Sequence, residues 1–248
     1  MAVLREHVAY YSEMLALPGF VRDPVLTFGF QDVFMAPNSF KDAADFRGID
    51  KLRWLKRELK ERWEVALNRR HPDLRIPKTF NASDLGVILC RHGATEVKTL
   101  DLFDKRADYP HDMNEPIPGE LAGRFNTVID IGSIEHVFDT RRCLENLTSL
   151  VAVGGHLMLH TPCRGYFDHG LHTLSPECLI QGMEVNGFET RWVRYSTPEG
   201  VPLKTPRDAE DAILWVIGQK KREVSPFVNP QQGRWKPAYE GTIQWQWK

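Results

Sequence analysis

The chain has 248 residues and a formal charge of −1 at pH 7, with 42% hydrophobic and 26% charged residues. That length holds one large α/β domain or two small ones, and that composition builds a packed core rather than a disordered chain. The near-neutral balance argues against a dedicated nucleic-acid binder, which carries a basic excess, and no apolar run approaches the ~20 residues of a membrane-spanning helix.

Residues 3–16 show an amphipathic helical pattern that ends near Pro18-Gly19. Charges run through its first turns and no small-residue cleavage site follows an apolar block, so the pattern predicts a helix and not a signal peptide. Pro24 to Gly29 reads as a short buried strand stopped by glycine. Across 42–70, Ile49, Leu52, Leu55, Leu59, Trp63 and Leu67 recur at helical spacing, with Lys51, Arg53, Lys56, Arg57, Lys60 and Arg62 on the opposite face. The plain account of that face is solvation of a packed helix; the functional one is a lid or a docking surface for an anionic substrate.

Beyond residue 80 the pattern becomes regular. Asn81 to Asp84 can cap a helix running to about His92, ended by Gly93. Val97–Phe103 reads as a strand, Ala107–Tyr109 as a very short one, and Phe125–Ile131 as a buried one. Leu144–Val151 is a helix tail, and Gly154-Gly155 turns into a strand over His156–His160. Ser175 is placed to cap a helix with Pro176 in its first turn. Phe188–Tyr195 and Ala212–Ile217 are two further strands. Strands alternating with helices predict a mostly parallel sheet covered on both faces. The expected organisation is one α/β domain over 1–248, with a helical insertion or lid at 35–80 and an extended, proline-containing tail at 222–248. Trp235, Tyr239, Trp245 and Trp247 in that tail either stack on a planar substrate or pack the tail onto the domain. The cysteines, Cys90, Cys143, Cys163 and Cys178, form no C-x-x-C pair, which suits reduced thiols in the cytoplasm and not a cysteine zinc site.

The strand over 125–131 runs Phe-Asn-Thr-Val-Ile-Asp-Ile and is followed at once by Gly132, Ser133, Glu135 and His136. Ligands of open parallel sheets sit beyond the carboxyl ends of the strands, so polar groups at that end mark the rim of a crevice. The other strand ends carry Phe28 to Asp32, then Asp101 and Asp104, then His111 to Asn114, then His160 to Pro162. A glycine turn, an acidic strand end and an Asp-apolar-Asn turn, in that order, suit a nucleoside. A carboxylate at the second strand end can accept both ribose hydroxyls, and an apolar residue at the third turn can pack against adenine.

With these residues in view, the segments TLDLFDKRADYPHDMNEPIP, FNTVIDIGSIEHVFD and NLTSLVAVGGHLMLHTPCRGYFDHGLHTLSPECL, within 99–179, resemble class I S-adenosylmethionine-dependent methyltransferases. They are similar to bacterial methyltransferase-domain proteins of polysaccharide and natural-product pathways. The resemblance implies a Rossmann-like, doubly wound seven-stranded sheet whose last strand is antiparallel, and S-adenosyl-L-methionine as cofactor. It places Asp101 at the ribose, with Asp104 as second candidate, Asp112 and Met113 on the adenine loop, Gly29 beside the methionine part, and Gly132 and Ser133 at the fourth strand end. The chain departs from the pattern at its first motif. LTFGFQDVFM has one glycine where the family has several, and the next helix begins only near Ser83, so Thr79 to Asp84 are expected to return to the rebuilt loop.

Methyl transfer to a hydroxyl or amine needs a base, and histidine titrates near neutrality. His169 is the first candidate and His136 the second, with Glu135 beside them. The competing accounts are structural: Glu135 bonding helix amides, His111 capping its turn, His160 as a satisfied core histidine. Asp168, His169 and His172 offer ligand atoms, but their spacing matches no metal motif, so no metal is expected. The expected activity is methyl transfer to oxygen or nitrogen of a small-molecule acceptor, a sugar or natural-product intermediate. The alternatives are a methyltransferase-like scaffold without activity, which the poor glycine motif favours, and an RNA-directed methyltransferase using the basic helix.

Overall fold

The computed structural model describes residues 2–34 and 83–231. The expected insertion at 35–80, its basic helix and the tail aromatics lie outside the described residues.

An eight-stranded sheet forms the centre. Its members are β2 (Val25–Phe28), β5 (Val97–Asp101), β6 (Tyr109–Pro110), β7 (Phe125–Ile131), β8 (Val151–Arg164), β9 (Phe188–Ser196), β10 (Pro202–Leu203) and β11 (Ala212–Lys220). Their spatial order is β10-β9-β11-β8-β7-β2-β5-β6. From β6 to β8 every pairing is parallel, while β11 lies antiparallel between β8 and β9. The chain winds outward from β2 through β5 to β6, then restarts on the other side at β7. The switch point between β2 and β7 is where a doubly wound sheet leaves a crevice. This is the expected fold with one extra strand, the two-residue β10, on the β9 edge.

Side-chain alternation along the strands divides the core. On one face Val128, Leu157, Leu159 and Val216 meet α3 (Thr140–Leu150) and α4 (Pro176–Val185) through Leu144, Leu147, Leu179 and Met183. On the other face Ile129, Met158, Trp215 and Ile217 meet α1 (Val8–Leu15) and α2 (Leu85–Arg91) through Tyr11, Met14, Ile88 and Leu89. Helix α4 begins as its sequence predicts, with Ser175 Oγ accepting from the Cys178 amide at 3.2 Å and Pro176 in the first turn.

Two elements differ from expectation. Residues 3–16 are not one helix: Ala2–Leu4 is a strand, β1, parallel to β3 (Asp32–Phe34), and a 3-10 turn at Arg5–His7 leads into α1. Strand pairing, a tertiary effect, overrides the local helical pattern there. The strand expected at 156–160 is the middle of the 14-residue β8. Gly154 at φ 87° and Gly155, whose Cβ would lie 2.8 Å from the Asn126 carbonyl, make an irregular step within the strand and not a turn before it. The return to the first loop is visible: Ser83–Asp84 forms β4, antiparallel to β3, and the Leu85 amide bonds the Gln31 carbonyl at 3.0 Å.

Candidate functional site

Above the carboxyl ends of β2, β5 and β7 lies a cleft of about 230 Å³, lined by Gly29, Phe30, Asp101, Asp112, Met113, Ser133 and His136 among others. Gly29 lines it at the turn after β2. Its φ is +80°, a region that only glycine adopts freely, and a Cβ there would stand 2.5 Å from Ser133 Oγ. That hydroxyl in turn donates to the Phe28 carbonyl at 3.0 Å, holding the loop after β7 against the loop after β2. Glycine is therefore required here by the close packing of the two loops and by the left-handed φ.

Asp101 ends β5, and both its oxygens are engaged. One accepts from the Phe30 amide at 2.9 Å; the other accepts from the amides of Phe103 at 2.8 Å and Asp104 at 3.0 Å. Partial burial pushes its carboxyl up, but the three amides outweigh that and hold it below the usual carboxylate range. A carboxylate offers about four acceptor positions, so one remains, and Asp101 is among the residues lining the cleft. Asp104 is turned to Arg106, whose guanidinium also reaches Asp32 at 3.3 Å and stacks 3.6 Å from the centre of the Phe30 ring. Asp104 and Gly132 are not among the residues lining the cleft; Gly132, at φ 68°, donates its amide to the His160 carbonyl at 2.6 Å.

The loop after β6 is shaped by Asp112, whose Oδ1 accepts from the backbone and side-chain nitrogens of Asn114 at 2.9 and 2.7 Å. Those two bonds draw its pKa down. Met113 is buried at the cleft wall. Sequence reasoning missed Asn146. It is buried on α3, donates to the carbonyls of Met113 at 3.2 Å and Glu115 at 2.8 Å, and accepts from the Ile117 amide at 3.2 Å. An asparagine on the apolar face of a helix was the available signal, because a buried amide needs partners.

Beyond Ser133 the chain turns back over β7 and β8. Asp130 and Glu135 are both wholly buried. Asp130 accepts from the amides of Ser133 at 2.9 Å and Ile134 at 3.3 Å, and Glu135 Oε2 accepts from the Thr161 hydroxyl at 3.0 Å. Among the described residues Glu135 Oε1 has no hydrogen-bond partner, and His169 Nε2 stands 3.9 Å from it. Burial raises the Glu135 carboxyl to about 7, and burial together with the Glu135 charge lifts Asp130 well above its usual range. The His136 ring is 5.4 Å from the His169 ring, and burial followed by the His169 charge lowers its pKa.

The loop carrying His169 is fastened to Glu135 itself. The amides of Leu171 and His172 bond the Glu135 carbonyl at 2.9 and 3.1 Å, and Gly170 packs so closely that a Cβ would lie 3.0 Å from Glu135 Cγ. Tyr166 and Asp168 both adopt positive φ, 57° and 63°, a strained choice for residues with side chains. His172 is turned away, with Nε2 bonding the Phe138 carbonyl at 3.0 Å. His111 Nε2 reaches the Glu115 carbonyl at 3.3 Å. His160 lies on the opposite face of the sheet, stacked 4.0 Å from Trp215; it is a core histidine whose two ring nitrogens are buried without partners among the described residues. The structure therefore brings Gly29, Asp101, Asp112, Met113 and Ser133 around one cleft, and joins Glu135, His136 and His169 at its edge.

No family model matches the chain, and no curated protein matches it. Solved structures with a similar fold include an S-adenosylmethionine-dependent methyltransferase from Mesorhizobium loti, at 14% identity over 55% of this chain and 85% of that chain, TM-score 0.41. Another is geranyl diphosphate C-methyltransferase from Streptomyces coelicolor, crystallised with Mg²⁺, geranyl diphosphate and S-adenosyl-L-homocysteine, at 12% identity over 86% of this chain and 79% of that chain, TM-score 0.45. Among the described residues no helix is long and apolar enough to cross a membrane.

Proposed function

We propose that this protein transfers a methyl group from S-adenosyl-L-methionine to an oxygen or nitrogen of a small molecule, a sugar or natural-product intermediate. The observation that carries the reading is the meeting, at the switch point between β2 and β7, of Gly29, Asp101 and Met113 around one cleft whose far wall, His136, also belongs to the Glu135 cluster.

The residues present fit the cofactor. Gly29 offers backbone that a Cβ would obstruct, Asp101 an ionised acceptor with a position left for a ribose hydroxyl, and Met113 an apolar wall beside Asp112. Bound there, S-adenosylmethionine supplies a sulfonium methyl: an acceptor lone pair forms the new bond to carbon as the carbon–sulfur bond breaks, leaving a neutral thioether. What remains for the chain is to hold the acceptor in line and to remove its proton. In this reading the exposed imidazole of His169, beside the cleft-lining His136, takes that proton. Glu135 lies beneath it, where a negative charge stabilises an imidazolium, and His136 lies beside it.

Calorimetric titration of S-adenosylmethionine and S-adenosylhomocysteine into the purified chain tests the reading. Micromolar binding of both, weakened in Asp101→Ala, is expected. Absence of heat from either ligand would return the scaffold alternative, and salt-sensitive retention of RNA would return the RNA-directed one.

A further inference from the structure

We propose that Glu135, His136 and His169 form a binding site for a first-row divalent metal ion at the mouth of the cofactor cleft. One ligand atom from each of the three lies within 4.8 Å of the other two. Ligand atoms about 2.1 Å from a common ion stand roughly 3.0–3.4 Å apart. The 3.9 Å between His169 Nε2 and Glu135 Oε1 is about half an ångström longer than that, and the 4.8 Å bound on the set exceeds it by about 1.4 Å, a closure that needs rotation of the two exposed imidazoles, His136 and His169.

The second observation is the orphaned Glu135 Oε1. The side chain is 1% exposed, its other oxygen is occupied by Thr161, and no donor among the described residues hydrogen-bonds Oε1. An unpartnered carboxylate oxygen in the interior costs free energy unless something cationic meets it. Among the described residues no lysine or arginine forms an ion pair with Glu135 or with the neighbouring buried Asp130. An ion on the outer side of Glu135 would supply the missing charge.

The third is the effort spent on placing His169. Two positive-φ residues, Tyr166 and Asp168, and the close fit of Gly170 against Glu135 fix a four-residue path that ends with His169 over the carboxylate. Backbone strain of this kind persists where the surroundings over-determine a side chain's position. Thr161 orients the Glu135 carboxylate from below, as outer-shell groups orient metal ligands.

Two imidazoles and one carboxylate with open positions suit ions of the zinc and ferrous class. They suit magnesium and calcium poorly, because those ions prefer oxygen ligands. The role of the ion rests on the proposed methyl transfer, but its binding does not. Facing the cleft, the ion would fix an acceptor hydroxyl and lower its pKa, so that the proton leaves to water. His169 would then serve by holding the ion instead of taking the proton itself.

The test uses the full, untagged chain stripped with chelator. Titration with Co²⁺ should give visible absorbance of a nitrogen–oxygen site saturating at one equivalent, bleached by Zn²⁺ and unaffected by millimolar Mg²⁺. His169→Ala, at an exposed position, should weaken Co²⁺ by at least about 100-fold while leaving S-adenosylhomocysteine affinity unchanged. Glu135→Gln should do the same if it folds. No saturable Co²⁺ signal, or one that survives His169→Ala, would overturn the site. S-adenosylhomocysteine titrated into the same stripped sample reports the cofactor cleft independently, so either reading can fail while the other stands.

Discussion

Two strand ends of the same sheet carry a carboxylate each, and the surroundings drive them in opposite directions. At the end of β5, Asp101 is half-buried and receives three backbone N–H groups, which hold it ionised. Just beyond β7, Glu135 is fully buried, and burial raises its pKa to about 7 against the opposing pull of its own backbone N–H and the Thr161 hydroxyl. One end is saturated with donors and the other starved of them. The saturated carboxylate can fix a loop and offer a steady negative charge. The starved one is ready to gain a proton, an imidazolium or a cation. The proposed function assigns positioning chemistry to the first and reactive chemistry to the second.

That division is broken most sharply at Glu135. Glu135→Gln keeps the shape and the Thr161 contact but removes the charge. Turnover should fall by about 10²- to 10⁴-fold, the range of a general acid–base group, with S-adenosylhomocysteine affinity within about 2-fold. Steady-state kinetics beside calorimetry checks it. Unchanged turnover would make Glu135 a merely structural acid. Asp101→Asn should show the reverse pattern. Its amide nitrogen would face backbone donors, and a lost bond to a charged group is worth roughly 1.5–3 kcal/mol, so cofactor affinity should drop about 10- to 100-fold. Equal loss of kcat and affinity in both variants would erase the distinction.

Gly29→Ala tests the seam between the two regions. The left-handed φ costs roughly 1–2 kcal/mol for a residue with Cβ, and the 2.5 Å approach to Ser133 Oγ adds crowding. Thermal unfolding should register that loss, and Gly29→Ala combined with Ser133→Ala should recover only the crowding part. Full recovery would show that φ at this turn is not what selects glycine.

What the sequence disclosed follows from these physical differences. Strand ends, Ser175 as a helix cap and Asp101 as an acidic terminus are local patterns, so residues alone reveal them. The pairing of β1 with β3, the irregular step at Gly154-Gly155 and the turning of Asp104 toward Arg106 depend on chain partners distant in sequence. Both His136 and His169 were readable as candidates, because His-rich loops beyond strands are conspicuous. Their meeting over an orphaned Glu135 oxygen was not, since it depends on two positive-φ residues with no glycine to announce them. Asn146 was hidden for the opposite reason: its task is to hold another loop.

The smallest effect is also the one that sets the two kinds of buried group against each other. Burial raises Glu135 to about 7 from the ordinary glutamate value of 4.5. Between those values the folded state keeps a proton that the unfolded state releases. Its contribution is therefore full below about 4.5 and is lost as pH rises through 7. His160, on the other face of the sheet, is pushed well below 6.5, first by burial and then by the His7 charge. There the unfolded state gains a proton that the folded state refuses, so stability is lost as pH falls below 6.5. Between roughly pH 4.5 and 6.5 the two slopes oppose, each at most about 1.4 kcal/mol per pH unit. Asp130 adds to the carboxyl slope and His7, His136 and His156 to the histidine one, so denaturant unfolding of the chelator-treated chain is read as a difference from wild type. Relative to wild type, Glu135→Gln should lose more stability toward acid and His160→Phe should lose less. Parallel curves for the two variants would mean that Glu135 does not carry the raised pKa on which the contrast with Asp101 depends.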